Sequence, residues 1–171
     1  MRLIALNGFA GSGAPWRGAL VVRGQTGGAG VLLDPTAALA TRLEVEPALR
    51  RRAGLDGNAR AVVLTAAPLE QVAALIAMRH GAPIDLYASP AVFESLTQAL
   101  PVLPRLQPHC AVHWRMVPVA GDRLTASFAI RGGAGLRGTA AASAEDAGDD
   151  GPTPAADGDA LALAVDDVES G

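Results

Sequence analysis

Ala61-Val62-Val63-Leu64-Thr65-Ala66-Ala67-Pro68-Leu69-Glu70-Gln71-Val72-Ala73-Ala74-Leu75-Ile76-Ala77-Met78-Arg79-His80-Gly81-Ala82-Pro83-Ile84-Asp85-Leu86-Tyr87-Ala88-Ser89-Pro90 is the stretch that decides the fold. Its first four residues form a short, continuously apolar run of the kind that parallel strands buried on both faces require. From Pro68 the spacing changes: Leu69, Val72, Ala73, Ile76 and Ala77 recur at helical intervals until Gly81. Ile84 to Tyr87 is again strand-like. Ser89-Pro90 supplies an N-cap followed by proline at the first helical position, which opens a helix predicted to reach about Ala99. Strand, helix, strand, helix in this order predicts an α/β arrangement.

Working outward, Val31 to Leu33 is a strand feeding helical character from Thr36 to Arg52, carried by Leu39, Leu43 and Leu49 and broken at Pro47. Arg2 to Asn7 and Ala19 to Arg23 read as earlier strands. Between them lies a glycine-rich turn containing Gly8, Gly11, Gly13, Pro15 and Trp16. Its G-x-x-G-x-G spacing, with no helix and no Gly-Lys-Ser/Thr after it, reads as a structural turn rather than a phosphate cradle. Downstream, Val112 to Val117 and Leu124 to Ile130 are strands. Gly132 to Asp159 has Leu136 as its one bulky apolar residue and is expected to be a loop or disordered insert. Ala160 to Val165 then resumes a strand pattern. The resulting division is a core over 1–131, an insert over 132–159, and a terminal strand with an acidic end over 160–171. No internal repeat is present.

The 171 residues suffice for one domain with its own core, built from Ala, Val, Leu and Ile because aromatics are only 4%. A single cysteine, Cys110, excludes an internal disulfide framework and a multi-cysteine zinc site. All basic residues are arginine, which with abundant Ala, Gly and Pro reflects a GC-rich bacterial genome. Residues 1–142 carry 14 arginines and 8 acids, a net +6; residues 143–171 carry 9 acids and no base, a net −9; together they give the chain's −3. The arginines are scattered, and Arg50-Arg51-Arg52 ends a predicted helix, where cations complement the dipole, so no nucleic-acid partner is expected. No apolar run is long enough for a membrane span, and the opening residues are too short an apolar run for a signal peptide. The expected location is the cytoplasm.

Several blocks, in order, resemble the coenzyme PQQ synthesis protein B family of the metallo-β-lactamase fold superfamily. Ala10-Gly11-Ser12-Gly13-Ala14-Pro15-Trp16 is similar to the family's Ala-Gly-Gly-Gly-Phe-Pro-Gln-Trp turn. Val31-Leu32-Leu33-Asp34 with Leu39, Leu43, Glu44 and Pro47-Ala48-Leu49 resembles its second block. Val63-Leu64-Thr65, Leu69-Glu70-Gln71-Val72, Arg79-His80-Gly81 and Leu86-Tyr87-Ala88-Ser89-Pro90 resemble the third, and Gly158-Asp159 through Asp167 resembles a Gly-Asp-Asn-x-Gly-Leu strand. The resemblance implies an α+β fold, a partial αββα sandwich of mixed sheets flanked by helices. It covers nearly this whole chain but about two-thirds of a family member.

The departures bear on chemistry. Trp16 leads into Arg17-Gly18-Ala19, where the family carries a Cys-x-Cys-x-x-Cys zinc cluster. The superfamily's His-x-His-x-Asp-His motif, which holds one or two metal ions, corresponds here to Ala66-Ala67-Pro68-Leu69-Glu70-Gln71. Ala66 and Pro68 offer no side-chain donor, Glu70 keeps a carboxylate, and Gln71 brings a neutral amide. Glu70 also fits an ordinary first-turn glutamate, and Gln71 a structural residue. His109 and His113, near Cys110, are the other residues that could hold a metal, but in a strand both lie on one face with Cys110 on the other. Nothing marks Cys110 as a low-pKa redox thiol.

By resemblance the expected role lies in pyrroloquinoline quinone (PQQ) biosynthesis, in handling or transport of PQQ or its precursor, without catalytic residues and without a bound cofactor. The alternatives are a metal-dependent oxygenase or hydrolase using zinc or iron at an atypical site, and a decayed gene product. A shortened sandwich leaves an open sheet edge, with the strand at 161–165 at or near it. A homodimer or a PQQ-pathway protein partner is therefore expected.

Overall fold

The structure, a computed structural model, describes residues 2–5, 20–25, 27–99, 101–133, 135–143 and 160–168. The expected glycine-rich turn at Gly8, Gly11, Gly13, Pro15 and Trp16 lies outside the described residues. Strands β1 (Arg2–Ala5), β2 (Leu20–Arg23), β3 (Val31–Leu33), β4 (Arg60–Val63), β5 (Ile84–Ala88) and β6 (Val112–Met116) form one mixed sheet in sequential order. The first two pairings are antiparallel and the last three parallel, each parallel step crossing over through helices. Strands β7 (Thr125–Ala129), β8 (Leu136–Ala142) and β9 (Leu161–Asp167) form a separate antiparallel sheet in that order.

Strand geometry sorts the apolar runs onto two faces. Val21, Leu32, Val62, Ile84 and Leu86 face the helices, where they pack with Leu39, Leu75, Met78, Phe93, Leu96 and Leu103. Val22, Val31, Ala61, Val63 and Tyr87 face the second sheet and meet Ile130, Leu136, Ala140 and Leu161. Helices, six-stranded sheet and three-stranded sheet thus make three layers, an α+β arrangement of mixed sheets flanked by helices.

The helical stretch from Thr36 is split by Pro47. Helix α1 spans Ala37–Val45, its N-cap Thr36 accepting from the Leu39 amide, and α2 spans Pro47–Ala53 with proline at its start. Helix α3 is Leu69–Ala77. Ser89 caps α4 (Pro90–Glu94) through the Val92 amide, and a π-helical turn continues it over Ser95–Ala99. Helix α5 (Val102–Leu106), not anticipated from sequence, contains Pro104. That proline sits in the first turn, where its missing N–H has no intrahelical acceptor to lose.

One expectation needs correction. The region 132–159 is not loop throughout: β8 occupies Leu136–Ala142, central in its sheet. Its inward residues are Leu136, Gly138 and Ala140, so the alternation that marks a strand is carried by side chains too small to stand out. Gly138 is required there, since the Phe128 ring of β7 lies where its Cβ would be. The proposed boundary between core and insert therefore runs between β7 and β8 of one sheet. Residues 144–159 lie outside the described residues.

Candidate functional site

At the C-terminal ends of β3 and β4 the two sheets part to leave a cavity of about 560 Å³. The local turn that builds it starts at Asp34, which leaves β3 with a left-handed φ of 41°. Short polar side chains tolerate this conformation better than most. The turn aims the carboxylate across to the neighbouring strand end, where Oδ1 accepts from the Thr65 amide at 2.8 Å and Oδ2 from the Thr65 hydroxyl at 2.7 Å. The Asp34 amide in turn donates to the Val63 carbonyl. Burial pushes the Asp34 carboxyl above its ordinary pKa, and the two Thr65 hydrogen bonds oppose that rise.

The next wall is Pro68, at the end of the loop Ala66-Ala67-Pro68, and the first turn of α3. Pro68 precedes that helix without a side-chain cap, and Glu70 and Gln71 line the cavity from its first turn. The Gln71 side-chain carbonyl oxygen is buried without a hydrogen-bond partner. Such an acceptor has lost water and received nothing in exchange. The opposite wall is β9: the Leu161 amide donates to the Thr65 carbonyl at 2.8 Å, setting Leu161 and Leu163 against the opening.

The histidines lie elsewhere. His113 Nδ1 is 3.3 Å from Asp85 Oδ1, which also receives Arg115 Nε at 3.1 Å and Nη2 at 2.9 Å. His109 follows α5, with its ring edge-on to His80 at 5.8 Å. Cys110 is buried in the helix-side core, where desolvation pushes its thiol pKa up. Glu70 lines the cavity, but His109 and His113 do not. Among the described residues no group of three or more His, Cys, Asp or Glu side chains is placed to hold a metal. Sequence reading found Glu70 and Gln71; it gave Asp34 and Thr65 no role. A strand-end aspartate followed by Pro35 was the available signal for a turn there.

No protein-family model matches the chain. It is 29% identical over 110 residues, 63% of its own length, to "Coenzyme PQQ synthesis protein B" of Nitrosococcus oceani. The crystal structure of Zn2+-bound PqqB from Methylobacterium extorquens superposes with a TM-score of 0.61 over 90% of this chain, at 19% identity. The chain is similar to coenzyme PQQ synthesis protein B. It shares that protein's metallo-β-lactamase-like fold, and it spans 36% of the Nitrosococcus relative and 50% of the Methylobacterium chain.

A metal at the family's motif does not fit the residues found at this rim. Ala66 has only a methyl group and Pro68 a hydrocarbon ring, while Glu70 and Gln71 leave one carboxylate and one neutral amide. A tetrahedral site needs three or four donors of imidazole, thiolate or carboxylate type. No chemistry is therefore routed through a metal here. Among the described residues, no helix is long and apolar enough to cross a membrane.

Proposed function

We propose that this chain is a non-catalytic accessory protein of PQQ biosynthesis that holds a small molecule in the cavity between its sheets. The observation that carries the reading is the replacement of donor side chains by Ala66 and Pro68 at the rim, in a chain that otherwise keeps the sheets and the cavity. Its pathway assignment is supported by the likeness to coenzyme PQQ synthesis protein B. A catalytic alternative built on Glu70, His109 and His113 draws no support from their placement, since Asp85 and Arg115 engage His113 and only Glu70 lines the cavity.

Two measurements test the two halves of the reading. Deleting the gene should lower cellular PQQ, with recovery on re-expression; an unchanged PQQ level would leave the decayed-gene reading standing instead. Purified protein incubated with Zn2+ or Fe2+ and then desalted should retain well under one metal per chain. Stoichiometric tight metal that disappears in Glu70→Ala would reinstate the enzymatic reading.

A further inference from the structure

The cavity can be characterised by what its walls offer a ligand. Its apolar surface comes from Leu20, Leu33, Pro68, Leu161 and Leu163. Its ionisable groups are the carboxyls of Asp34 and Glu70, and among the described residues no arginine or histidine lines it. The Thr65 hydroxyl spends its hydrogen on Asp34, while the Thr36 hydroxyl accepts the Leu39 amide and keeps its own hydrogen.

We infer that this cavity takes a protonated amine carried on an apolar body, an alkyl- or arylalkylamine. An ammonium brings three donors and no acceptor, which complements the two carboxyls. Its hydrocarbon part matches the leucine walls, and the volume lies within the range of small-molecule sites, roughly 300–1,000 Å³. An anion meets the reverse situation, two acids with no lining cation among the described residues. One feature opposes this choice: α3 begins at the cavity without a side-chain cap, and a helix N-terminus favours negative charge. The helix already carries Glu70 in that first turn, which supplies the negative charge from within the protein. A polycarboxylate such as PQQ is thus a poor occupant, and a pathway ligand here would be one bearing a free amino group.

The inference rests on the reading of the cavity as a ligand site, though not on the pathway assignment. The test is calorimetry on the full chain with phenethylamine, its carboxylate counterpart 3-phenylpropionate, and PQQ. Phenethylamine should bind saturably and at least about tenfold tighter than either acid, weakening as salt rises. Glu70→Gln, on the exposed side of α3, should weaken the amine about fivefold or more while leaving far-UV circular dichroism unchanged. Binding of 3-phenylpropionate or PQQ as tight as the amine, no saturable amine binding, or amine binding indifferent to Glu70→Gln would each overturn the inference. Amine binding in a protein whose deletion leaves PQQ unchanged would sink the pathway assignment alone.

Discussion

The two faces of the six-stranded sheet are built on different terms. On the helix side, Leu32, Leu39, Leu75, Met78, Leu86 and Leu96 are fully buried, and the charge among them is fully engaged. Arg60, 4% exposed, donates to Glu44 Oε1 at 2.6 Å and to the Met78 and Ala82 carbonyls, in space left by Gly81. On the facing-sheet side small residues, Ala61, Ala140 and Gly138, are mixed with larger ones such as Tyr87, Phe128 and Ile130, and Leu163 and Val165 are only partly buried. Asp34, Tyr87 and Asp85 supply polar groups with unusual surroundings outside the helix-side core. The helix-side packing fixes the framework, and the proposed ligand cavity opens towards the other sheet.

The comparison breaks most sharply with Leu86→Ala. Its side chain has no exposure, so its loss should cost about 2–5 kcal/mol in chemical denaturation. A cost below about 1 kcal/mol would show that the helix-side packing is not the framework. Leu163→Ala, on the cavity wall, should cost about 1 kcal/mol, since a half-buried leucine recovers only part of its transfer free energy. If the two variants lose equal stability, the asymmetry between the faces is unfounded.

Tyr87→Phe sharpens the comparison from the polar side. The Tyr87 hydroxyl accepts the Arg131 amide at 2.8 Å and its ring stacks on Phe128 at 5.7 Å, tying the end of β7 to the sheet. Removing the oxygen should cost about 0.5–1.5 kcal/mol with the ring contact retained, and should speed exchange of the Arg131 amide. An unaltered Arg131 exchange rate would mean the bond is not made in solution.

The smallest effect concerns pH. A buried carboxyl raised above its unfolded value binds its proton more tightly when folded, so its ionisation works against the fold. The penalty is absent below the unfolded pKa near 3.8 and complete once pH exceeds the raised folded value. Asp34→Asn, which keeps an acceptor for Thr65, should therefore gain stability relative to the parent as pH rises from the acid range to neutrality. Parallel denaturation curves across that range, with no convergence or divergence, would show that Asp34 is not desolvated.

The sequence made β3, β4 and β5 legible because strands covered on both faces are largely apolar, as Val31–Leu33 and Ala61–Leu64 are throughout and Ile84–Tyr87 is apart from Asp85. It made the break at Pro47 and the cap at Ser89 legible because proline and serine act locally. Strand β8 was not, because only Leu136 among its inward residues is bulky; Gly138, which lies beneath Phe128, and Ala140 add almost no hydrophobic signal. At the candidate site, Glu70 and the missing donors at Ala66 and Pro68 could be read residue by residue. The isolation of the Gln71 carbonyl and the reach of Asp34 to Thr65 could not. Both depend on which strand ends become neighbours, a property of topology rather than of any window of residues.

The bond from the Leu161 amide to the Thr65 carbonyl also orders events in time. The parallel strands β3 to β6 are each joined to the next through intervening helices, so their contacts close comparatively short loops. Strand β9 reaches β8 across a connection of similar length, but its bond to the end of β4 joins Thr65 to Leu161, far apart in the chain, a slower search with a larger entropic cost. A nascent chain released before residue 161 would hold its helix-packed sheet and lack one wall of the cavity. Completion of the proposed ligand site therefore reports that β9 has docked.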